Sequence, residues 1–176
     1  MSMKAKSQLG AAMTAVALLA ACSSGSSATG SGGSGAGGHD CALYQEPAGT
    51  DLTMPVESFK TNIMGIFAEN CGSATCHGGA APTGGLLLGG TEAAAPATYK
   101  ALVNVMSGEL PTMAYVTPGI YAESYLMHKL DADQCYYDEQ CLGHLCLAAM
   151  PNLGTTLPTG TRDIVRRWIA QGALDN

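Results

Sequence analysis

Basic side chains are scarce in this chain: Lys and Arg together number 8 among 176 residues, against 14 Asp and Glu. Two of the eight, Lys4 and Lys6, lie at the start, and the chain that follows residue 21 carries six basic and fourteen acidic side chains, a formal net charge of −8. Nucleic acids are bound through Lys and Arg that neutralise phosphates. The charge therefore argues against a nucleic acid partner.

Other absences limit the fold. No run of alternating β-branched residues predicts a sheet, so we expect a mostly α fold that is rich in loops. The chain has no repeat of solenoid period and no constellation of catalytic side chains. Residues 39–176 are enough for one domain with its own core and too few for two. We therefore expect a single folded domain that is not an enzyme.

The amino terminus has the pattern of a secretory signal peptide, which we assign to residues 1–21. Lys4 and Lys6 precede an apolar run of 13 residues, whereas a membrane-spanning helix needs about 20. The run ends in Leu-Ala-Ala before Cys22, and this ending resembles the lipobox of bacterial lipoproteins. The resemblance implies cleavage before Cys22 and lipidation of that residue. The alternative is an ordinary signal peptide with a free or disulfide-bonded Cys22.

Residues 22–38 are then the lipidated cysteine and a flexible linker, because positions 23–38 contain only Gly, Ser, Ala and Thr. Ser23, rather than an aspartate, follows the cysteine. By resemblance to lipoproteins of bacteria with two membranes, this favours an anchor in the outer membrane with the domain facing the periplasm. Export also places the cysteines in an oxidising compartment, where thiols form disulfides.

The most specific motif is Cys-Gly-Ser-Ala-Thr-Cys-His at residues 71–77. A cysteine directly followed by histidine, with a second cysteine just upstream, is the attachment pattern of covalent haem. In this pattern Cys71 and Cys76 form the thioethers, and His77 binds the iron as proximal ligand. Four residues separate the cysteines where the common pattern has two, and Gly72 permits the extra residues to bulge outward. No second Cys-His junction occurs, so we expect one haem at most.

Two alternatives to haem remain open for this motif. Cys71 and Cys76 can instead form a small disulfide loop, with His77 exposed beside it. A zinc cluster needs reduced thiols, which export disfavours; its candidate ligands are Cys71, Cys76, His77, Cys135, Cys141, His144 and Cys146. If haem and lipid take three cysteines, four remain, enough for two disulfides in any of three connectivities: Cys41, Cys135, Cys141 and Cys146.

Two helices with one apolar face are expected near the ends of the domain. The first lies between Pro55 and Cys71 and has apolar residues at helical intervals: Val56, Phe59, Ile63, Ile66 and Phe67. The last ends at Gly172 and has a similar stripe: Ile164, Val165, Trp168 and Ile169. A shorter helix is expected from Ala97 to Val105. Residues 84–90 are interpreted as a short buried extended segment that lines a haem edge or packs in the core.

A haem that is ligated on both faces needs a second axial ligand, and the sequence favours Met150. It lies in Leu-Ala-Ala-Met-Pro-Asn at residues 147–152, where Pro151 stiffens a loop ahead of the last helix. A methionine that only fills the core is the alternative. His128 and His144 are the bis-histidine alternatives, although we expect both at the surface.

Several motifs together resemble one family: Cys-x4-Cys-His-Gly-Gly at 71–79, Val-Thr-Pro-Gly at 116–119, Ser-Tyr-Leu at 124–126 with Lys-Leu at 129–130, Met-Pro at 150–151, and Ile-Val-Arg-Arg-Trp-Ile-Ala-Gln-Gly-Ala at 164–173. The family is the small class I c-type cytochromes of the planctomycete or myxobacterial type, and the likeness covers residues 56–174. It implies a cytochrome c-like domain at residues 39–176, in which crossing terminal helices surround one haem. It also implies thioethers at Cys71 and Cys76, iron ligation by His77 and Met150, and packing of Phe67 on Trp168.

An insert at residues 131–146, rich in cysteine and acidic side chains, departs from this family. It is not a calcium loop, because neither a glycine nor a terminal glutamate falls at the required offset. We expect a disulfide-clamped loop that either docks a basic redox partner or has only a structural role.

The resemblance implies a membrane-tethered monohaem cytochrome c that transfers single electrons between redox proteins of the bacterial cell envelope. An alternative from a different class is a haem-free, disulfide-stabilised surface lipoprotein that acts as a binding module. A third hypothesis is a haem with an open coordination position for a small ligand, which requires that Met150 does not bind iron.

Overall fold

The computed structural model describes residues 41–152 and 155–176. The predicted signal peptide, Cys22 and the linker lie outside these residues. Within them the regular secondary structure is helical, no strand forms, and two isolated bridges pair Val103 with Val116 and Met106 with Ala114. The prediction of a mostly α fold is confirmed. The α-helices are α1 Met64–Asn70, α2 Ala95–Leu102, α3 Tyr125–Asp131 and α4 Thr159–Ala170.

The first predicted helix forms, but it begins later than Pro55. Its first turn is π-helical, Phe59–Ile63, and it continues as α1. Ser58 caps this turn, because its hydroxyl accepts a hydrogen bond from the Thr61 amide at 3.3 Å. The preceding residues are not helical, and the Gln171 side chain donates to the carbonyls of three of them: Leu52, Thr53 and Pro55.

The last predicted helix also forms, as α4. Gly172 has φ +101° directly after it, a conformation that favours glycine and ends the helix as expected. Trp168 is buried and its ring lies 5.1 Å from the ring of Phe59. Phe67 is buried in the same apolar cluster, but Phe59 is the residue whose ring stacks on Trp168. The resemblance implies packing of Phe67 on Trp168; the two residues share one apolar cluster, and within it the ring paired with Trp168 is that of Phe59.

The middle helices differ more from expectation. Helix α2 begins two residues before Ala97 and ends three residues before Val105, with Pro96 in its first turn. Helix α3 has no counterpart in the sequence analysis. All its residues from Tyr125 to Leu130 are buried, so it lacks the single apolar face by which a helix is recognised.

One apolar cluster joins these helices to the predicted haem motif. Its members include Cys71 from the motif, Leu88 from the segment at residues 84–90, and buried residues of all four helices. A second, smaller cluster contains Leu110, Tyr125, Cys141 and Cys146. None of the helices within residues 41–152 and 155–176 combines the length and the hydropathy needed to cross a bilayer.

The two disulfides expected from the four remaining cysteines are confirmed, and the structure selects one connectivity. Cys41 pairs with Cys135, with Cα atoms 5.8 Å apart, and Cys141 pairs with Cys146 at 5.3 Å. The first bridge joins the start of the domain to the insert. The second closes a short loop within the insert.

A buried ion cluster ties the insert to α4. The Asp131 carboxylate accepts hydrogen bonds from Arg166 Nη2 at 2.8 and 2.7 Å and from Arg162 Nη1. Arg166 also pairs with Asp163, one turn earlier on the same helix. The Tyr44 ring lies below both guanidinium groups, with centroid distances of 4.9 Å for Arg162 and 4.7 Å for Arg166.

Candidate functional site

The predicted haem motif forms a compact turn directly after α1. Cys71 ends the helix, where its amide donates to the Phe67 carbonyl at 2.8 Å. The Ser73 carbonyl then accepts from Cys76 at 3.0 Å and from Gly78 at 2.9 Å, and the Cys71 carbonyl accepts from His77 at 3.1 Å. The four spacer residues therefore fold into the turn, and the backbones of Cys71 and His77 are joined across it despite the longer spacing.

The His77 ring is fixed by the backbone of the segment at residues 84–90. Its Nδ1 lies 2.8 Å from the Leu86 carbonyl oxygen. Because a carbonyl only accepts, Nδ1 carries the proton, and in the neutral imidazole the lone pair lies on Nε2. Nε2 forms no hydrogen bond with any residue of the described ranges. The His77 carbonyl in turn accepts from the Leu88 amide at 3.0 Å.

Close glycine contacts set the path of this segment. A Cβ on Gly78 would lie 1.9 Å from the Gly72 carbonyl oxygen, and a Cβ on Gly89 would lie 2.9 Å from Gly72 Cα. Only glycine fits at these two positions, because the backbones touch. The segment at residues 84–90 was expected to be buried and extended; Leu88 is buried, Leu86 is half-buried and Leu87 is exposed. Its contact with His77 was not anticipated.

The two thiols of the motif differ in state. Cys71 is free and buried, whereas Cys76 is disulfide-bonded. The predicted alternative of a bridge between Cys71 and Cys76 is therefore not formed. A thioether and a disulfide at Cys76 use the same sulfur, so they exclude each other.

Raising the pH through the range 9 to 11 is expected to destabilise the haem-free protein. Burial raises the pKa of the Cys71 thiol from 9.0 to about 11, so the unfolded chain loses this proton before the folded chain does. The stability that the protonated Cys71 thiol contributes is complete below the pKa of this thiol in the unfolded chain. It is lost as the pH rises through the pKa of the same thiol in the folded chain. Two pKa units correspond to about 2 to 3 kcal/mol. Urea unfolding as a function of pH measures this loss.

Cys71→Ala is the comparison for that titration, because it removes the thiol and leaves the other alkaline groups in place. We expect the difference in unfolding free energy between wild type and Cys71→Ala to shrink as the pH rises from about 9 to about 11. A difference that stays constant with pH would show that the thiol does not titrate in this way. A Cys71 that carries a thioether has no proton to lose.

Met150 lies in a different part of the fold from the turn. It is half-buried, and its amide donates to the Lys129 carbonyl of α3 at 2.8 Å. The structure therefore brings Cys71, Cys76 and His77 together in one turn. Met150 is held by a separate element and shares no hydrogen bond with that turn among the described residues.

Of the two histidine alternatives to Met150, His128 is hydrogen-bonded through both ring nitrogens and His144 is exposed at the surface. His128 is buried, contrary to the expectation of a surface position, because it lies on the helix that the sequence did not reveal. Its Nδ1 contacts Asp133 Oδ1 at 2.8 Å and its Nε2 contacts the Ala122 carbonyl at 3.2 Å. Neither ring nitrogen is left for a metal. His144 is at the surface as expected, with 76% of its side chain exposed.

The zinc alternative finds no support in the geometry. Three of its candidate ligands are in disulfides with known partners: Cys135, Cys141 and Cys146. Across the ranges that the structure describes, no three His, Cys, Asp or Glu side chains converge as a metal site. A haem iron takes few protein ligands, so a haem held by His77 and Met150 needs no such group of three.

The acidic groups of the insert are used mostly inside the protein. Asp131 pairs with Arg162 and Arg166, and Asp133 is buried against His128. Asp138 accepts from the backbone amide of Cys146 at 2.8 Å, so of the four acidic side chains Glu139 is the one that is almost fully exposed. The arrangement favours the structural role of the insert over an acidic docking surface.

Comparison of the chain with protein-family models, with curated proteins and with solved structures gives no match.

Proposed function

We propose that this protein is a monohaem c-type cytochrome that transfers single electrons. The observation that carries the proposal is the His77 ring, whose Nδ1 is held by the Leu86 carbonyl and whose Nε2 has no hydrogen-bond partner in the described residues. Histidines that ligate metals donate their second ring N–H to a carbonyl or carboxylate in this way, which fixes both tautomer and orientation. The residues at this turn therefore fit a haem iron.

Each residue of the turn has a distinct role in the proposal. Cys71 and Cys76 would attach the haem through thioethers, and His77 and Met150 would ligate its iron. When bound, the haem supplies one-electron transfer, because its iron alternates between ferric and ferrous states. The protein contributes burial, ligation and orientation, and no substrate is turned over.

We extend the proposal to the cell envelope of a bacterium. The signal peptide pattern and the lipobox ending at Cys22 support export and lipid anchoring, and Ser23 supports the outer membrane. The partners in this proposal are other redox proteins of the envelope. The composition of residues 23–38, only Gly, Ser, Ala and Thr, is that of a linker, and such a tether would let the domain reach these partners.

The test is to express the full chain in a host that matures c-type cytochromes. Haem staining after denaturing electrophoresis detects thioether-linked haem, because this linkage survives denaturation. Mass spectrometry of the peptide that contains residues 71–77 then distinguishes a haem adduct from a disulfide. A colourless protein with Cys76 in a disulfide would overturn the proposal.

A second candidate is favoured by one observation. Cys76 is disulfide-bonded in the structure, and with the bridges Cys41–Cys135 and Cys141–Cys146 this fits a haem-free lipoprotein stabilised by disulfides that binds a partner at the surface. A thioether at Cys76 needs a free thiol, so a haem-loaded chain would lack this disulfide. The same peptide analysis therefore decides between the two candidates.

Met150→Ala is expected to retain covalent haem and to change its environment. The thioethers and His77 are untouched, so haem staining per mole of protein stays equal to that of wild type. Loss of the sulfur ligand lowers the reduction potential, since methionine raises the potential of a haem, and opens a coordination position. Carbon monoxide binding by the reduced protein and potentiometric titration measure these changes. An unchanged potential with no carbon monoxide binding would remove Met150 as the axial ligand.

A further inference from the structure

The loop that carries Met150 is attached to the rest of the protein at three points within five residues. We define residues 146–150 as the methionine loop. Asp138 Oδ1 accepts from the Cys146 amide at 2.8 Å, Gln134 Nε2 donates to the Leu147 carbonyl at 3.0 Å, and the Lys129 carbonyl accepts from the Met150 amide at 2.8 Å. Two of the three partners belong to the cysteine-rich insert.

The groups that make these contacts are themselves fixed. Gln134 is buried and lies next to Cys135, which is bridged to Cys41. Cys146 is buried and bridged to Cys141, so the methionine loop begins at a disulfide. A hydrogen bond to a group with restricted motion restricts the loop as well.

Apolar packing contributes little to holding this loop. Within it Leu147 is 55% exposed and Ala148 is also exposed, and Leu145, directly before the loop, is 55% exposed. A segment that buries few apolar groups opens locally at low cost unless hydrogen bonds or covalent links retain it. The position of the Met150 backbone therefore depends on the contacts with Asp138, Gln134 and Lys129.

We infer that the insert positions the methionine loop, so that Asp138 and Gln134 are positioning residues for the iron ligand Met150. This inference rests on the proposed function. It gives the insert a role that the resemblance does not supply, because the insert is the part of the chain that departs from the family. Asp138 and Gln134 bind only backbone groups of the loop here, so each acts on Met150 through that backbone.

The experiment compares four variants of the haem-loaded full chain. Asp138→Ala removes the acceptor of the Cys146 amide, whereas Asp138→Asn keeps an oxygen acceptor and removes only the charge. Gln134→Leu removes the donor to Leu147 at similar volume. Glu139→Gln is the matched control, because this exposed residue of the insert pairs with His144 and forms no hydrogen bond or ion pair with the methionine loop among the described residues.

Two measurements report on the loop directly. Amide hydrogen exchange at Cys146 and Met150 is expected to accelerate by about tenfold in Asp138→Ala and to return toward the wild-type rate in Asp138→Asn. The methionine-to-iron charge-transfer band of the ferric protein is expected to weaken in Asp138→Ala and Gln134→Leu, and carbon monoxide binding by the reduced forms is expected to appear. Glu139→Gln should match wild type in all of these.

The outcomes separate the inference from the proposed function. Haem staining equal to wild type, with unchanged exchange and an unchanged charge-transfer band in both Asp138→Ala and Gln134→Leu, overturns the inference alone. Wild-type protein without covalent haem overturns the proposed function and the inference with it. Weakened ligation in Asp138→Ala that Asp138→Asn restores supports the inference, because a general loss of stability through the missing charge would not be rescued.

Discussion

Replacing His77 with alanine is expected to abolish stable haem incorporation, while both cysteines of the motif remain. The substitution removes the proposed iron ligand and also the ring N–H that donates to the Leu86 carbonyl at 2.8 Å. Changes to groups that only orient a metal ligand cost about 10- to 100-fold in affinity or activity, so loss of the ligand itself should cost at least as much. Haem absorbance per mole of purified protein and haem staining measure the loss.

His144→Ala is the matched control, because it removes an imidazole of the same size from an exposed position. We expect it to retain wild-type haem content. Circular dichroism on both variants checks that the helices are kept. Full haem content in His77→Ala, with the helices intact, would show that another residue ligates the iron on this face and would remove the observation on which the proposed function depends.

The terminal helices were predictable because each has one apolar face. Phe59, Ile63 and Phe67 recur at helical spacing and are buried, and the stripe that contains Trp168 does the same in α4. The start of the first helix was not predictable. The start of this helix depends on Gln171, more than a hundred residues later, because its side chain donates hydrogen bonds to the carbonyls of residues before Ser58.

Helix α3 could not be read from the sequence, since it is buried on every side. Its two polar residues have partners outside the helix: His128 contacts Asp133, just beyond the helix end, and Lys129 pairs with Glu109, 20 residues earlier. Lys129 Nζ lies 2.7 Å from Glu109 Oε2, and burial lowers the pKa of this lysine. Polar residues in a helix normally indicate its solvent-exposed face. Because His128 and Lys129 are buried, the helix shows no apolar periodicity in the sequence.

The candidate site was predictable in its local part only. Cys71, Cys76 and His77 are within seven residues of one another, and a motif of that length is visible in any sequence. The Leu86 carbonyl that fixes the His77 ring could not be predicted, because its position depends on the contact between Gly72 and Gly89. The support of the methionine loop was not predictable either, because the side chains of Asp138 and Gln134 bind backbone groups of the loop, and a residue's identity does not reveal such a partner.

Replacing Asp131 with alanine is expected to lower the free energy of unfolding by about 3 to 5 kcal/mol. Asp131 is the carboxylate shared by Arg162 and Arg166, and the Arg166 side chain has no exposed surface. Without Asp131, Arg162 loses its one carboxylate partner among the described residues, and Arg166 retains only Asp163. The cost arises because a buried cation is left without compensation, not because the ion pair itself is strong.

Urea unfolding of the haem-free protein at neutral pH measures this effect, with Asp175→Ala as the matched control. Asp175 lies 3.9 Å from Lys60 at the surface, and exposed pairs of this kind contribute about 0 to 1 kcal/mol. Each variant removes one aspartate that pairs with basic side chains. The difference between their unfolding free energies therefore reports on how much more a buried carboxylate contributes than a surface one. A loss of less than about 1 kcal/mol in Asp131→Ala would mean that water reaches Arg162 and Arg166, and that α4 is held to the insert by apolar contacts instead.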